Sequence, residues 1–393
     1  MKTVLFVGAG RHQRRAIVRA KELGLRVAAV DRNPHAPGLE LADVAEVADF
    51  GAAIDAARRL RPDGVLTIAS DRAVPVVAEI AEALGLPGIG RETAEAATNK
   101  AVMRRRLAEA GVPQPRFAAL TEPAEIEASF PAVLKPVDSA GQRGLFLVRS
   151  REDLAARLPE ALQHSLVGAA IVEQFVEGTE LNCLAVARGG EVSVLTLSER
   201  RRPGGEGFGV CLAHVFPAPV AGEVAAEAER VASEAIRAIG LRDSVAYPQL
   251  LVSPDGVLLV EIAARVPAGL MDEVARLGIG VDLVHVALLQ ALGEPVPDEL
   301  LQPRTRQPLA IRFLTAQPGP LPVGTVRSVN GVDRALTCDG VVAADTYIVP
   351  GETIRPARVD GDRRGYVIAV GDTADEAAER AEAAASLIEV EVA

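Results

Sequence analysis

Short apolar runs alternate with stretches of helical period over the first hundred positions. Thr3–Val7, Arg26–Val30 and Gly64–Ile68 read as strands, and His12–Leu23, Ala53–Leu60 and Val74–Leu84 as helices. Strands separated by helices of this length form parallel βαβ units, so the chain opens as an α/β fold. Thr93–Ala110 is predicted as one helix, stopped at Gly111 before Pro113 and Pro115. The apolar period then shortens to two. Ala132–Pro136, Leu145–Val148 and Ala170–Phe175 are expected as strands, followed by a hairpin of Leu181–Arg188 and Glu191–Ser198 turned at Gly189-Gly190. Helix Glu223–Ile239 leads to strands Val245–Val252 and Val257–Ala263. Helix Val281–Leu292 ends at Gly293, and the Pro-rich stretch 295–308 marks a boundary. Further strands, a Pro350-Gly351 turn and a helix Ala374–Ile388 complete the pattern.

A length of 393 residues calls for two or three packed units rather than one core. With 49% hydrophobic and 24% charged residues the composition is globular. The net charge of −11 opposes binding to nucleic-acid phosphates. No apolar run approaches the roughly 20 residues a bilayer span needs, and the opening MKTVLFVGAG has no signal-peptide pattern. Cys183, Cys211 and Cys338 are odd in number and lack metal-ligand spacing. The expectation is a soluble, cytoplasmic, multi-domain α/β protein with no nucleic-acid or membrane partner.

Candidate chemistry begins at Gly8-Ala9-Gly10, with Asp31 about 20 residues on, a partial dinucleotide fingerprint in which Gln13 replaces the third glycine. Lysine usage says more. Lys2, Lys21, Lys100 and Lys135 are the only lysines among 42 basic residues. Lys135, in Val133-Leu134-Lys135-Pro136, precedes a loop carrying Gly141 and Gly144 that can turn backbone N–H groups onto phosphates, and a compact ammonium is a common phosphate ligand. The strand Ile171–Phe175 carries Glu173 into a hinge at Val176, whose backbone can pair an adenine edge, and Glu180 follows within reach of ribose. Gln249 and Glu261 flank a short turn as cross-strand neighbours, and Arg265 lies at the same strand end as Glu261. A carboxylate so placed is a usual Mg²⁺ ligand. Arg200, Arg201 and Arg202 in the loop Ser198–Gly209 are candidates to clamp a substrate carboxylate, and His214 to contact phosphate or substrate.

The order Lys100, Val133-Leu134-Lys135-Pro136 with its glycine loop, Glu173-x-x-Val176-x-Gly178-x-Glu180 and Glu261-x-x-x-Arg265 resembles the ATP-grasp superfamily, and within it the carboxylate–amine ligase branch that includes L-amino-acid ligases. The resemblance implies a Rossmann-like pre-ATP-grasp domain over 1–97, an ATP-grasp nucleotide-binding domain over 98–300 and a small C-terminal α+β segment over 301–393. It implies ATP and Mg²⁺ as cofactors and a small-molecule carboxylate and amine of amino-acid type as substrates, with a homodimer as a compatible assembly. Lys100 and Lys135 would contact ATP phosphates, Gly141 and Gly144 would form the mobile loop, and Glu173 and Val176 would hold adenine, with Glu180 on ribose. Glu261 would bind Mg²⁺, and Arg265 would stabilise the acyl-phosphate and tetrahedral intermediate. Two positions depart from the family: Gln249 stands where an acid is usual, and Ala263 where asparagine is usual, which puts a second metal in question unless another acid such as Glu273 substitutes. Those departures keep open an ATP-binding protein with impaired ligation. The glycine turn keeps open an NAD-dependent oxidoreductase.

Overall fold

The computed structural model describes residues 1–120, 129–204 and 207–393; positions 205 and 206 of the expected loop Ser198–Gly209 lie outside them. The opening alternation becomes a parallel sheet in the order Val44–Val47, Arg26–Asp31, Thr3–Val7, Gly64–Leu66. Helix Arg14–Glu22 connects Thr3–Val7 to Arg26–Asp31, helix Ala53–Leu60 connects Val44–Val47 to Gly64–Leu66, and helix Val74–Leu84 follows the last strand. Val44–Val47 was not legible as a strand, because it is an edge strand whose residues all stay partly exposed or exposed and carry no apolar face.

The expected helix Thr93–Ala110 is in fact broken. Asn99 takes an extended conformation, ends Arg91–Thr98 and caps Lys100–Glu109 by accepting from the N–H groups of Ala101 and Val102 at 3.0 and 3.3 Å. An asparagine cap competes with helix continuation through its own side chain. Lys100 therefore stands on the first turn of the helix that begins after Asn99.

Three antiparallel sheets follow, one of them a small three-stranded sheet of Thr353–Ile354, Gly324–Asn330 and Glu389–Val392 in the C-terminal segment; the other two carry the candidate site. The smaller has the order Phe117–Leu120, Ala170–Gln174, Ala132–Pro136, Phe146–Val148, with helix Arg151–Gln163 across one face. The larger has eight strands in the order Gly256–Ala263, Ser244–Ser253, Thr179–Arg188, Glu191–Arg201, Ala213–Phe216, Leu309–Phe313, Gly365–Val370, Val341–Thr346. It runs unbroken across position 300, so strands of the expected C-terminal segment extend the same sheet that carries the candidate site. Helix Gly222–Ala238 packs with Lys100–Glu109 on one face of it. On the other, Phe216, Leu309, Met271 and Val274 share one buried cluster with Phe6, Ile17 and Ile68, so the N-terminal sheet is part of a continuous core. Among the described residues, no single helix is long and apolar enough to cross a membrane.

Candidate active site

Strand alternation decides which side chains meet. Gln249 pairs with both Glu261 and Asn182, and Asn182 pairs with Ser198, so four neighbouring strands present polar residues on one face. Next to this row, Glu261 and Leu259 pair with the consecutive residues Gln249 and Leu250, leaving Val260 as an extra bulged residue. A bulge frees carbonyls from the ladder. Arg104 takes them: its Nη1 donates to Leu259 O at 2.9 Å and its Nη2 to Val260 O at 2.7 Å.

Arg104 also donates through Nε to Glu173 Oε1 at 2.8 Å, and Lys135 Nζ lies 2.8 Å from Glu173 Oε2. All three side chains are buried. Burial alone would raise the Glu173 carboxyl, but Arg104 and Lys135 outweigh it and hold the group down at about 2. Both carboxylate oxygens are thus committed to cations, and Gln174, Phe175 and Val176 continue the lining of the adjoining cavity beyond Glu173. The sequence reading missed Arg104. Its signal was the i,i+4 spacing from Lys100, which sets both on one helix face.

That cavity, of about 120 Å³, lies between the two antiparallel sheets and is lined by Lys100, Lys135, Glu173, Val176, Glu180 and Glu261 among others. Lys100 Nζ donates to Ser139 O at 2.7 Å and sits 3.0 Å from Glu261 Oε1. Glu180 is paired with Arg200 Nη1 at 2.5 Å and Arg202 Nε at 2.8 Å. Arg201, one residue out of phase, points instead to Glu199 and Asp375, so the expected arginine trio reduces to two on this face. The loop Asp138–Gly144 covers the cavity and touches the C-terminal segment, where Asp360 N–H donates to Gly141 O at 3.2 Å. Gly144 has φ +72°, and a Cβ there would lie 2.9 Å from Pro136 and 3.0 Å from His164, so no other residue fits that turn.

The small cavity opens into a cleft of about 750 Å³, and Ala140–Arg143, Arg200, Gln249 and Glu261 line both. Arg265 lines the cleft but is anchored across to the N-terminal unit, its Nη2 donating to Asp71 Oδ2 at 2.6 Å. His214 lies deeper, with Asn182 Nδ2 at 2.8 Å from its Nδ1 and Cys211 Sγ at 3.5 Å from its Nε2. Burial, then Arg200 and Arg363, push the His214 imidazole down to about 3, so it is neutral at physiological pH. Burial raises the Cys211 thiol to about 11, which leaves it protonated. A buried neutral histidine binds a proton on unfolding, so its contribution to stability is intact above about pH 6.5 and is lost as pH falls toward 3. The expected slope is at most about 1.4 kcal/mol per pH unit. Urea unfolding of the parent and of His214→Gln between pH 4 and 7 measures it; identical slopes would remove the assignment.

Three expectations are corrected by placement. Glu273 reaches neither cavity: it is buried, paired with Arg15 and doubly with Arg276 at 2.8 and 2.6 Å, and cannot substitute as a metal ligand. Among the described residues no cluster of three or more His, Cys, Asp or Glu could hold a metal. Glu261, about one-third exposed and beside Gln249, offers one carboxylate and one neutral amide, which suits a single Mg²⁺ completed by nucleotide oxygens but not two adjacent ions. The glycine turn is filled as well. Gln13 Nε2 donates to Ile68 O at 2.5 Å beneath Gly8 and Gly10, and Asp31 accepts from Ala9 N–H at 2.8 Å and Asn33 N–H at 2.9 Å. The acid that would hold a nicotinamide cofactor's ribose is therefore spent on its own backbone.

Residues 97–269 match the model of an ATP-grasp domain, and residues 312–393 match L-amino acid ligase C-terminal domain 2. Residues 97–269 thus form an ATP-grasp domain, followed by a segment of the kind found at the C-terminus of L-amino acid ligases. It is similar to the uncharacterized protein y4rH of Sinorhizobium fredii, at 31% identity over 78% of this chain, and spans 63% of that protein's length. It is 28% identical to the formate-dependent phosphoribosylglycinamide formyltransferase of Ignicoccus hospitalis, covering 98% of this chain and 95% of that one. Its fold matches the crystal structure of an L-amino acid ligase from Bacillus licheniformis with a TM-score of 0.86, at 22% identity over 100% of this chain and 99% of the other.

Proposed function

We propose that this ATP-grasp chain joins a carboxylate to an amine through an acyl-phosphate, releasing ADP and phosphate. The observation that carries this reading is the junction of the two cavities. A small, lysine-lined cavity under a glycine loop opens directly into a cleft large enough for further substrates, and Arg200, Gln249 and Glu261 line both. The nucleotide would occupy the small cavity, with Lys100 and Lys135 on its phosphates and the Gln174–Val176 backbone at adenine. Glu180 would meet the ribose once its arginines yield, and Glu261, with Gln249, would hold Mg²⁺, which supplies charge neutralisation on the phosphates. A substrate carboxylate oxygen at the junction attacks the γ-phosphorus, and the bond from that phosphorus to the bridging oxygen breaks to leave ADP. The amine nitrogen then attacks the acyl carbon, the carbon–oxygen bond to phosphate breaks, and the amide forms as the nitrogen gives its extra proton to the departing phosphate. Arg265 and the neutral His214 would donate to oxygens that gain charge in these steps, and the covering loop would exclude water from a hydrolysable intermediate.

Lys135→Ala is expected to weaken ATP binding strongly, measured by calorimetric titration, whereas Lys21→Ala, at a surface pair with Asp43, leaves it unchanged. Lys135→Arg should also fail, because a forked guanidinium does not fit the packed place of an ammonium. In thermal melts MgATP should raise the midpoint, ATP with EDTA less and NADH not at all. A shift with NADH and none with ATP would sink the ligase reading. An ADP-release screen over paired amino acids and small carboxylates identifies the substrates. Binding of ATP without ADP release for any pair would favour the non-catalytic alternative that Gln249 and Ala263 motivate.

A further inference from the structure

One buried contact beside the large cleft has no part in the steps above. Asn182 stands on strand Thr179–Arg188 and His214 on strand Ala213–Phe216, with Glu191–Arg201 between them in the sheet. Both side chains are buried. Asn182 reaches across the intervening strand and places its Nδ2 2.8 Å from His214 Nδ1. His214 is in register with Arg200, which lines both cavities, and lines the large cleft itself.

The chemistry of the two groups fixes where the imidazole proton sits. An amide nitrogen only donates, so Nδ1 must accept and carries no hydrogen. The charged groups that face the ring are Arg200, Arg363 and Asp360; burial and the two arginines outweigh Asp360 and keep the ring neutral. A neutral ring with a bare Nδ1 has its one hydrogen on Nε2. Little else consumes that N–H. Cys211 Sγ lies 3.5 Å from Nε2, but a thiol sulfur is a weak acceptor, and its own hydrogen is directed to Ala213 O at 3.5 Å. A Cβ on Gly269 would lie 3.1 Å from Nε2, so the bare backbone there leaves this nitrogen open on the cleft side. Phe313 meets the ring edge to face, with centroids 5.5 Å apart, which restrains its plane.

We propose that Asn182 is a positioning residue: its amide holds His214 in the Nε2–H form, so that a neutral N–H donor faces the oxygen that gains charge when the amine attacks the acyl-phosphate. The inference rests on the ligase reading. Such a donor binds the developing negative charge more strongly than the uncharged carbonyl that precedes it, which is the difference that lowers a barrier. A ring with its proton on Nδ1 turns a lone pair toward the same oxygen and repels it.

The test reads the tautomer and the rate on the whole chain. Two-bond proton–nitrogen spectra of protein labelled with ¹⁵N-histidine separate Nε2–H from Nδ1–H rings. His214 is assigned by the signals lost in His214→Gln or, in the parent alone, by its contacts to the Phe313 ring. The expected result is Nε2–H in the parent. In Asn182→Asp, a change of almost no volume, the carboxylate only accepts, so the neutral ring should carry its proton on Nδ1. Where the spectra show that form, kcat for a substrate pair found by ADP release should lie about 10²-fold below the parent, with little change in the KM for ATP. Asn182→Leu neither donates nor accepts, so it leaves the tautomer unforced and should lose less; a packing role alone would make it no better than Asn182→Asp. An Nδ1–H ring in the parent, an unmoved proton in Asn182→Asp, or parental kcat with the proton on Nδ1 overturns the proposal. A parent that binds ATP but releases no ADP for any pair overturns the ligase reading instead, and the spectra still decide whether Asn182 sets the tautomer.

Discussion

Glu173→Ala is expected to destabilise the smaller antiparallel sheet by about 3–5 kcal/mol, the usual cost of removing one partner from a buried ionic group, and to abolish ATP binding with it. Glu173 sits between Arg104 and Lys135 with none of the three exposed to solvent. Without the carboxylate, two cations face each other in the interior, and the side chain that holds Lys135 in place is gone. Arg104 would also lose the contact that joins the strand Ala170–Gln174 to the carbonyls of the bulge at Val260. Hydrogen exchange of Ala170–Gln174 reads the first effect and calorimetric titration with ATP the second. Replacing all three residues together, with Glu173→Leu, Arg104→Met and Lys135→Met, should recover much of the stability and none of the nucleotide affinity, because a packed apolar trio matches a buried ionic one in energy but not in chemistry. Parental exchange rates in Glu173→Ala would show that the ionic group does not hold the sheet. The contribution also has a pH signature. The Glu173 carboxyl is depressed to about 2 from an ordinary 4.5, so its stabilisation is complete above about pH 4.5 and is lost as pH falls toward 2.

Glu261→Gln should lower ADP formation by about 10²-fold or more, a typical loss when one preorganised group that stabilises transferring charge is removed. Among the described residues Glu261 is the one acidic side chain lining both cavities, and its strand partner Gln249 brings an oxygen but no charge. With glutamine at both positions, a Mg²⁺ ion would have no anionic protein ligand, and Lys100 would lose its counter-ion. Gln249→Glu should act in the opposite direction, raising activity or reducing the Mg²⁺ concentration needed, since it adds a second carboxylate on the neighbouring strand. ADP release against Mg²⁺ concentration for the parent and both variants separates these outcomes. Parental turnover in Glu261→Gln would remove Glu261 from the metal site. If the parent binds ATP without turnover, gain of activity in Gln249→Glu with Ala263→Asn would trace the loss to these two positions.

The sequence by itself determined most of what depends on local period and on spacing. Alternating apolar runs and helical stretches specify the N-terminal βαβ units because neighbouring residues alone set those periods, and the hairpin at Gly189-Gly190 follows from two residues that take positive φ without strain. The pairing of Gln249 with Glu261 was legible for the same reason, as a turn fixes register across a few residues. The division of Arg200 and Arg202 from Arg201 was not legible, because the strand runs on to Arg201 where a loop was expected from Ser198. What only the tertiary structure decided are the contacts between segments far apart in the chain. Glu173 meets Arg104 across 69 positions, and Asp71 meets Arg265 across 194. Both contacts exist because separate sheets converge on one pair of cavities. Glu273 is close to Arg265 in sequence yet is turned into an ionic cluster with Arg15 and Arg276, away from the site. Periodicity reports which residues share a face of one element, whereas the charge that neutralises a buried group comes from whichever element packs against it, and that choice is made by the whole core.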